Sequence, residues 1–208
     1  MSQLFFGQAS GCDTRRLTCA GEKLGKNTLP IGSGNNREEE MSKKQWKIYC
    51  DMDGVVANFD ALFLQMFGTS PELFKMTLGE AKFWEHIYSF RGFFAKIPAY
   101  KGAGDFFAEL LRITPHVMLL TAPSRTNFEL CKSQKLEWIR NEMPKVNGYP
   151  PMVIFEKNKY IYACPNSILI DDYGKKIGKW IEAGGIGIKH KNFEQTLQKL
   201  SSITRERK

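Results

Sequence analysis

The sequence predicts an α/β protein with a doubly wound, Rossmann-type parallel sheet and a helical insertion. Two observations support this fold. From Trp46 onward, short apolar stretches typical of buried strands alternate with amphipathic stretches of helical spacing. Polar residues also follow directly after several of the predicted strands, and open parallel sheets bind their ligands beyond the carboxyl ends of their strands.

The composition narrows the class of protein. The chain has 208 residues, 42% of them hydrophobic, which suits one domain with a modest insertion. No apolar run approaches the ~20 residues of a membrane helix, so no membrane partner is expected. The net charge of +8 favours anionic ligands such as phosphate esters, nucleotides or nucleic acid, but it equally suits a solvated basic surface. Five cysteines without a Cys-x-x-Cys pair indicate free thiols in the cytoplasm.

Residues 1–42 differ from the rest of the chain. The stretch "GEKLGKNTLPIGSGNNREEE" is rich in glycine, asparagine and charge and has no sustained apolar period. This segment is therefore predicted to be a disordered or weakly ordered extension. It lacks the long apolar core of a signal peptide, and its acidic residues argue against a transit peptide. The folded domain is predicted to span 43–208.

The first half of the domain contains one strand and the insertion. "WKIYCD" at 46–51 is predicted to be a strand, and "NFDALFLQMFG" at 58–68 a helix. The helix is indicated by apolar residues that recur on one face, namely Phe59, Leu62, Phe63 and Met66. The insertion at about 60–98 is rich in aromatic residues and is predicted to be helical in pieces.

The second half continues the alternation. Further strands are predicted at 116–122, 151–157, 166–172 and 185–190. Helices are predicted at 102–113, 125–143, 174–184 and 193–200. Pro144 stops the second of these helices, and Gly184 stands where glycine commonly ends a helix.

Several polar residues are predicted to meet at one crevice, because they stand at or just past the carboxyl ends of predicted strands. They are Asp51, Asp53, Thr121, Lys157, Lys159, Asp171 and Asp172. Carboxylates gathered in this way repel each other unless a cation joins them, and oxygen-only ligands favour Mg²⁺. A lysine and a hydroxyl beside them suit phosphate oxygens. Two carboxylates one residue apart allow one to attack phosphorus while the other transfers a proton.

The motifs resemble those of the haloacid dehalogenase-like phosphatases. "DMDGVVANF" is similar to the first motif of that superfamily, "MLLTAPS" to the second and "ILIDDY" to the fourth. The lysine of the third motif is Lys157 or Lys159, in "EKNKY". Within the superfamily the sequence most resembles the 5'(3')-deoxyribonucleotidases, which have a segment similar to "FWEHIYSFRGFFAKIPAYKGA". The resemblance covers roughly residues 46–190, and it implies that the insertion at about 60–98 forms a small helical cap over the strand ends.

The resemblance implies a role for each matching residue. Asp51 would be the nucleophile, and Asp53 the acid that protonates the leaving nucleoside oxygen and then activates water. Mg²⁺ would be bound by Asp51, the main-chain carbonyl of Asp53 and the Asp171/Asp172 pair. The remaining implied contacts are Thr121 and Lys159 with the phosphoryl group, Lys135 with the phosphate, and Phe59 with the nucleoside.

The sequence departs from the family pattern at two places that concern the substrate. Ala122 stands at a substrate-binding position where the family has a serine, so only its backbone N–H remains available. The segment between Phe59 and Trp84 is short, as if part of the cap were missing. These departures leave the base and sugar preference open.

Taken singly, each motif also has a structural explanation. An Asp-x-Asp after a strand can cap a helix, although Asn58 can cap the following helix without it. Thr121 before Pro123, or an Asp pair before a glycine, can belong to a turn. The recurrence of these motifs in order favours a functional site. The aromatic residues of the insertion are interpreted as core more than as a stacking surface: Phe83, Trp84, Phe90, Phe93 and Phe94.

The preferred function is a Mg²⁺-dependent phosphatase acting on (deoxy)nucleoside monophosphates. One alternative is a phosphatase for another small phosphate ester or for 3'-phosphate ends of nucleic acid, and the basic tail "TRERK" keeps the second of these open. A non-catalytic phosphate-binding protein is less favoured, because Asp51 and Asp53 are intact. The expected partner is a small nucleotide, with nucleic acid less favoured and a homodimer compatible with the sequence.

Overall fold

A five-stranded parallel sheet organises the part of the chain that the computed structural model describes, residues 45–124 and 126–205. The strands are β1 (Lys47–Cys50), β2 (Val117–Thr121), β3 (Val153–Phe155), β4 (Ser167–Asp171) and β5 (Ile186–Lys189). Their order across the sheet is β3-β2-β1-β4-β5. The chain therefore starts in the middle of the sheet, winds to one edge, and returns to build the other. The predicted extension at 1–42 lies outside the described residues.

Helices connect the strands. They are α1 (Phe59–Phe67), α2 (Pro71–Ser89), α3 (Ala103–Ile113), α4 (Phe128–Glu142), α5 (Gly174–Glu182) and α6 (Phe193–Arg205), with short 3₁₀ turns at Phe94–Lys96 and Lys159–Tyr162. This element order confirms the predicted doubly wound α/β fold. Within the described ranges, none of the helices has the length and apolar character needed to cross a bilayer.

The sheet is buried on both faces, as expected for parallel strands with helices on both sides. Side chains alternate between the faces along each strand. In β1, Ile48 and Cys50 belong to the larger core, whereas Tyr49 packs on the opposite face with Leu169 and Trp180. β3 is shorter than the predicted strand at 151–157. It is an edge strand, and proline at 150 and 151 has no N–H for a ladder.

The order of strands defines where a ligand is expected. β1 lies between β2 and β4, and the winding direction changes between β1 and β4. Open parallel sheets bind ligands at such a switch point, beyond the carboxyl ends of the two strands. The register pairs Cys50 with Ile170, and the Asp51 N–H donates to the Ile170 carbonyl at 2.8 Å. The residues that end β1 and β4 are therefore neighbours.

The aromatic residues of the insertion belong to the same hydrophobic core as Ile48 and Cys50 of β1. α1 begins after Asn58, whose side chain accepts a hydrogen bond from the Ala61 N–H at 3.1 Å, so Asn58 is the cap that the sequence allowed. α2 is interrupted at Gly79, where φ is +82°, which agrees with a helix in pieces. Phe83, Phe93 and Phe94 are buried, and Trp84 and Phe90 pack against them from partly exposed positions. The interpretation of these aromatic residues as core is confirmed.

Candidate active site

Two buried carboxylates meet at the switch point of the sheet. Asp51 follows β1 directly and Asp171 ends β4, and they are 2% and 0% exposed. Burying unpaired charges is costly. Lys159, itself 2% exposed, pairs with both carboxylates: its Nζ lies 2.7 Å from Asp51 Oδ1 and 2.7 Å from Asp171 Oδ2. The 3₁₀ turn Lys159–Tyr162 orients Lys159 inward, whereas Lys157 is exposed.

A second lysine that the sequence reasoning missed also reaches this pair. Lys176 Nζ lies 3.2 Å from Asp51 Oδ2 and 3.6 Å from Asp171 Oδ2. Lys176 stands in the first turn of α5, and the amino end of that helix follows the carboxyl end of β4. The sequence could have indicated this contact, because a lysine shortly after the Asp171/Asp172 pair falls at the start of a helix that adjoins the same edge of the sheet.

Burial and the two lysines have opposite effects on the pKa of Asp51. Burial alone would raise the pKa of Asp51, but the attraction of Lys159 and Lys176 outweighs it and lowers that pKa below its ordinary value. Asp171 has the opposite balance. Burial and the adjacent Asp51 charge raise the pKa of Asp171 to about 7, despite both lysines. The lowered pKa keeps the Asp51 carboxyl ionised near neutral pH, and an ionised carboxylate can act as a nucleophile.

Asp53 belongs to a separate hydrogen-bonded group. Lys135, on α4, is buried and donates to Asp53 Oδ2 at 2.6 Å and to Thr121 Oγ1 at 2.7 Å. Burial by itself would lower the pKa of Lys135, but the Asp53 carboxylate outweighs that effect and raises it, so Lys135 remains an ammonium. Asp53 Oδ1 is buried and has no hydrogen-bond partner among the described residues. One oxygen of Asp53 is thus anchored while the other is available to exchange a proton.

Gly54 allows the first motif to approach the fourth. Its φ is +78°, and a Cβ at this position would lie 2.3 Å from Asp172 Oδ2. Both the backbone conformation and the available space therefore require glycine. The close approach brings Asp172 beside the turn that carries Asp51 and Asp53.

The donor set fits a hard divalent cation. One carboxylate oxygen each from Asp51, Asp171 and Asp172 lies within 4.8 Å of the others, and an all-oxygen set of this kind suits Mg²⁺. Asp171 already accepts from the Tyr173 N–H at 2.9 Å and from Lys159. Asp172 is exposed, so its carboxylate is the freer of the two.

A cavity of about 240 Å³ opens in front of these carboxylates. Its wall includes the predicted residues Asp51, Asp53, Phe59, Ala122 and Asp172, together with Gly54, Asp60, Glu72, Tyr173 and Lys176. The other predicted residues lie behind this wall. Lys159 contacts both Asp51 and Asp171, and Lys135 contacts both Asp53 and Thr121. The structure therefore gathers all the predicted site residues except Lys157, and their individual roles remain predictions.

Phe59 is one of two aromatic side chains on this wall, the other being Tyr173. Phe63, next to Phe59, offers a matched comparison. The two rings stack with centroids 6.1 Å apart, but Phe63 is fully buried. If the predicted nucleotide substrate binds here, we expect Phe59→Leu to raise KM by at least ~fivefold, because a base–aromatic contact is worth ~1–3 kcal/mol. Phe63→Leu should instead lower the thermal midpoint and leave KM near the wild-type value. Steady-state kinetics and thermal denaturation of both variants test this, and equal KM effects would contradict a contact between Phe59 and the substrate.

One solved structure with a similar fold is that of a haloacid dehalogenase-like hydrolase. A haloacid dehalogenase-like family hydrolase from Xanthomonas campestris matches with a TM-score of 0.50 and 11% identity, over 87% of this chain and 98% of that chain. A hydrolase from Streptococcus pneumoniae TIGR4 matches with a TM-score of 0.45 and 14% identity, over 76% and 99% of the two chains. Among curated proteins, no sequence matches this chain. The fold is that of the haloacid dehalogenase-like hydrolases.

The family is defined more narrowly by a sequence model. The model described as "5' nucleotidase, deoxy (Pyrimidine), cytosolic type C protein" matches residues 45–196. This match spans most of the chain, and the chain belongs to that family. The predicted resemblance to the deoxyribonucleotidases is thereby confirmed, and the protein is a phosphatase of the haloacid dehalogenase type.

Proposed function

We propose that this protein hydrolyses (deoxy)nucleoside monophosphates in a Mg²⁺-dependent reaction that passes through an aspartyl-phosphate on Asp51. The observation that carries the proposal is the set of contacts around Asp51. Oδ1 accepts from the Met52 N–H at 2.7 Å and contacts Lys159 at 2.7 Å. The carboxylate is thus held in one orientation on the cavity wall.

In the first step, a carboxylate oxygen of Asp51 would form a bond to phosphorus as the bond from phosphorus to the nucleoside oxygen breaks. Asp53 would give its proton to that leaving oxygen. The orphaned Asp53 Oδ1 supports this assignment, because Lys135 already holds Oδ2. General acid catalysis of this kind contributes roughly 10²–10⁴-fold.

In the second step, the Asp53 carboxylate would take a proton from water as that water attacks phosphorus. The bond from phosphorus to Asp51 breaks, inorganic phosphate leaves, and both carboxyl groups return to their starting states. Lys159 stays beside Asp51 and offsets the negative charge that gathers on the phosphoryl group.

We assign three groups to the metal: the Asp51 carboxylate, the Asp53 carbonyl and the Asp172 carboxylate. Asp171 lies next to them and is held by Lys159. A bound Mg²⁺ would polarise the phosphoryl oxygens and neutralise part of their charge. The chain's own contribution is to keep the ligands in place: Gly54 permits the approach of Asp172, and Lys159 fixes Asp171.

A nucleotide substrate is supported by the family and by the cavity. The family description names a deoxynucleotidase of cytosolic type, and we extend both the substrate class and a cytoplasmic location to this chain. Phe59 offers an apolar ring to a base beside the carboxylates. The helical insertion of α1 and α2 adjoins the same cavity through Phe59, Asp60 and Glu72, which limits the size of the ligand.

One observation favours a second candidate, a phosphatase for the 3'-phosphate ends of nucleic acid. A groove of about 230 Å³ shares Tyr173 and Lys176 with the cavity wall. Its other lining residues are mostly basic or aromatic: Lys157, Asn158, Lys159, Tyr160, Lys175 and Lys179. Lysines interleaved with exposed tyrosines are typical of surfaces that bind single-stranded nucleic acid.

A substrate panel separates the two candidates. We expect kcat/KM for a deoxynucleoside 5'-monophosphate to exceed that for a 3'-phosphorylated oligonucleotide by at least ~tenfold, which requires about 1.4 kcal/mol of differential transition-state binding. The panel would include nucleoside 5'- and 3'-monophosphates and sugar phosphates, each with Mg²⁺. Equal rates on nucleotide and oligonucleotide, or faster hydrolysis of the oligonucleotide, would favour end processing. Faster hydrolysis of a sugar phosphate would move the substrate outside nucleotides.

A further inference from the structure

Lys176 occupies a place that the proposed metal also needs. Its ammonium lies 3.2 Å from Asp51 Oδ2 and 3.6 Å from Asp171 Oδ2. Both carboxylates belong to the three-residue group that could hold a cation, Asp51, Asp171 and Asp172. The same two carboxylates are thus within reach of a lysine ammonium and of a divalent ion.

The two cations cannot share Asp51 on equal terms. Asp51 Oδ1 is engaged by Lys159 and by the Met52 N–H, so Oδ2 is the oxygen available to a metal. Mg²⁺ would bind through a lone pair of such an oxygen. Lys176 directs its N–H groups at the lone pairs of that oxygen, and two positive charges this close repel strongly away from bulk water.

Lys176 is free to leave, in contrast to Lys159. The Lys176 side chain is 29% exposed, whereas that of Lys159 is 1% exposed between two carboxylates. Lys176 also lines both the cavity and the adjoining groove. A rotation of its flexible side chain toward the groove would release Asp51 Oδ2 without moving α5.

We propose that Lys176 is an exchangeable counter-ion: it neutralises Asp51 and Asp171 when no divalent ion is bound, and it withdraws when the ion arrives. This inference rests on the metal site of the proposed function. It assigns the two lysines different tasks. Lys159 stays with Asp51 throughout, and Lys176 sets how tightly the metal is held.

The test compares Lys176→Met with Lys175→Met in chelator-treated full-length protein. Lys175 is the neighbouring residue of α5, carries the same charge and is exposed, so it controls for the loss of one positive charge near the site. Mn²⁺ binding is measured by electron paramagnetic resonance without substrate. Thermal midpoints are measured in EDTA and with excess Mg²⁺.

Lys176→Met should bind Mn²⁺ at least ~tenfold more tightly than the wild type, equivalent to about 1.4 kcal/mol. In EDTA its thermal midpoint should fall by at least ~3 °C, because Asp51 and Asp171 lose a shared counter-ion, and excess Mg²⁺ should remove most of that deficit. Lys175→Met should show neither effect. If the methionine variant does not fold, Lys176→Gln removes the same charge with a polar side chain and carries the same expectations.

The outcomes separate this inference from the proposed function. If the wild type binds no Mn²⁺, the metal site itself fails and this inference fails with it. If the wild type binds Mn²⁺ but the Lys176 variants bind it equally or more weakly, only the counter-ion role is overturned. Tighter Mn²⁺ binding without a deficit in EDTA, or equal effects in Lys175→Met, would also overturn it.

Discussion

Asp51→Asn is expected to lower kcat by at least ~10³-fold, which corresponds to roughly 4 kcal/mol of lost transition-state stabilisation. An asparagine amide has nearly the same shape as the carboxylate but cannot form the bond to phosphorus. We assign this step to Asp51 because Lys159 and the Met52 N–H orient its carboxylate at the cavity wall. Phosphate release from a deoxynucleoside monophosphate measures the effect.

The variant should fold but be less stable than the wild type. Removing one partner of a buried ion pair typically costs ~3–5 kcal/mol. The loss here should be smaller, because Asp171 still lies 2.7 Å from Lys159. Asp60→Asn is the matched control, since Asp60 is also on the cavity wall but outside the three-carboxylate group, and it should retain most of the activity. A folded Asp51→Asn protein with more than a tenth of the wild-type rate would refute the covalent mechanism.

The convergence of the site could be predicted because it depends on topology. Asp51 and Asp171 stand at the ends of two strands, and parallel strands direct their carboxyl ends to one edge of the sheet. No contact had to be known for this prediction. The helices could be predicted for a different reason: their apolar spacing and their terminating residues are local features of the chain.

What could not be predicted depends on the reach and direction of individual side chains. The sequence left Lys157 and Lys159 open, and only the inward 3₁₀ turn distinguishes them. Lys135 was expected near the phosphate, and in the structure it donates to Asp53 and Thr121. Lys176 was missed, because its contact with Asp51 links residues 125 positions apart through a long, flexible side chain. Such contacts follow from the packed structure and leave no periodic signal.

The second large effect is expected from removal of the metal. We predict that EDTA abolishes turnover and that added Mg²⁺ restores it. Within the donor set, the structure distinguishes Asp172 from Asp171. Asp171 has both oxygens engaged, by the Tyr173 N–H and by Lys159, whereas Asp172 is exposed and lies against Gly54. Asp172 is therefore the carboxylate with oxygens free to bind the ion.

Asp172→Asn should accordingly raise the Mg²⁺ concentration for half-maximal activity by at least ~tenfold, since a neutral amide oxygen binds a hard cation more weakly than a carboxylate does. Replacing both Asp171 and Asp172 by alanine should weaken Mn²⁺ binding further, and that binding can be measured without substrate. Asp60→Asn again serves as control, because it removes a cavity carboxylate that is not in the group. Full activity in metal-free buffer would exclude the metal requirement. An unchanged Mg²⁺ requirement in Asp172→Asn would instead transfer the ligand role to Asp171, whose release from Lys159 would then have to accompany metal binding.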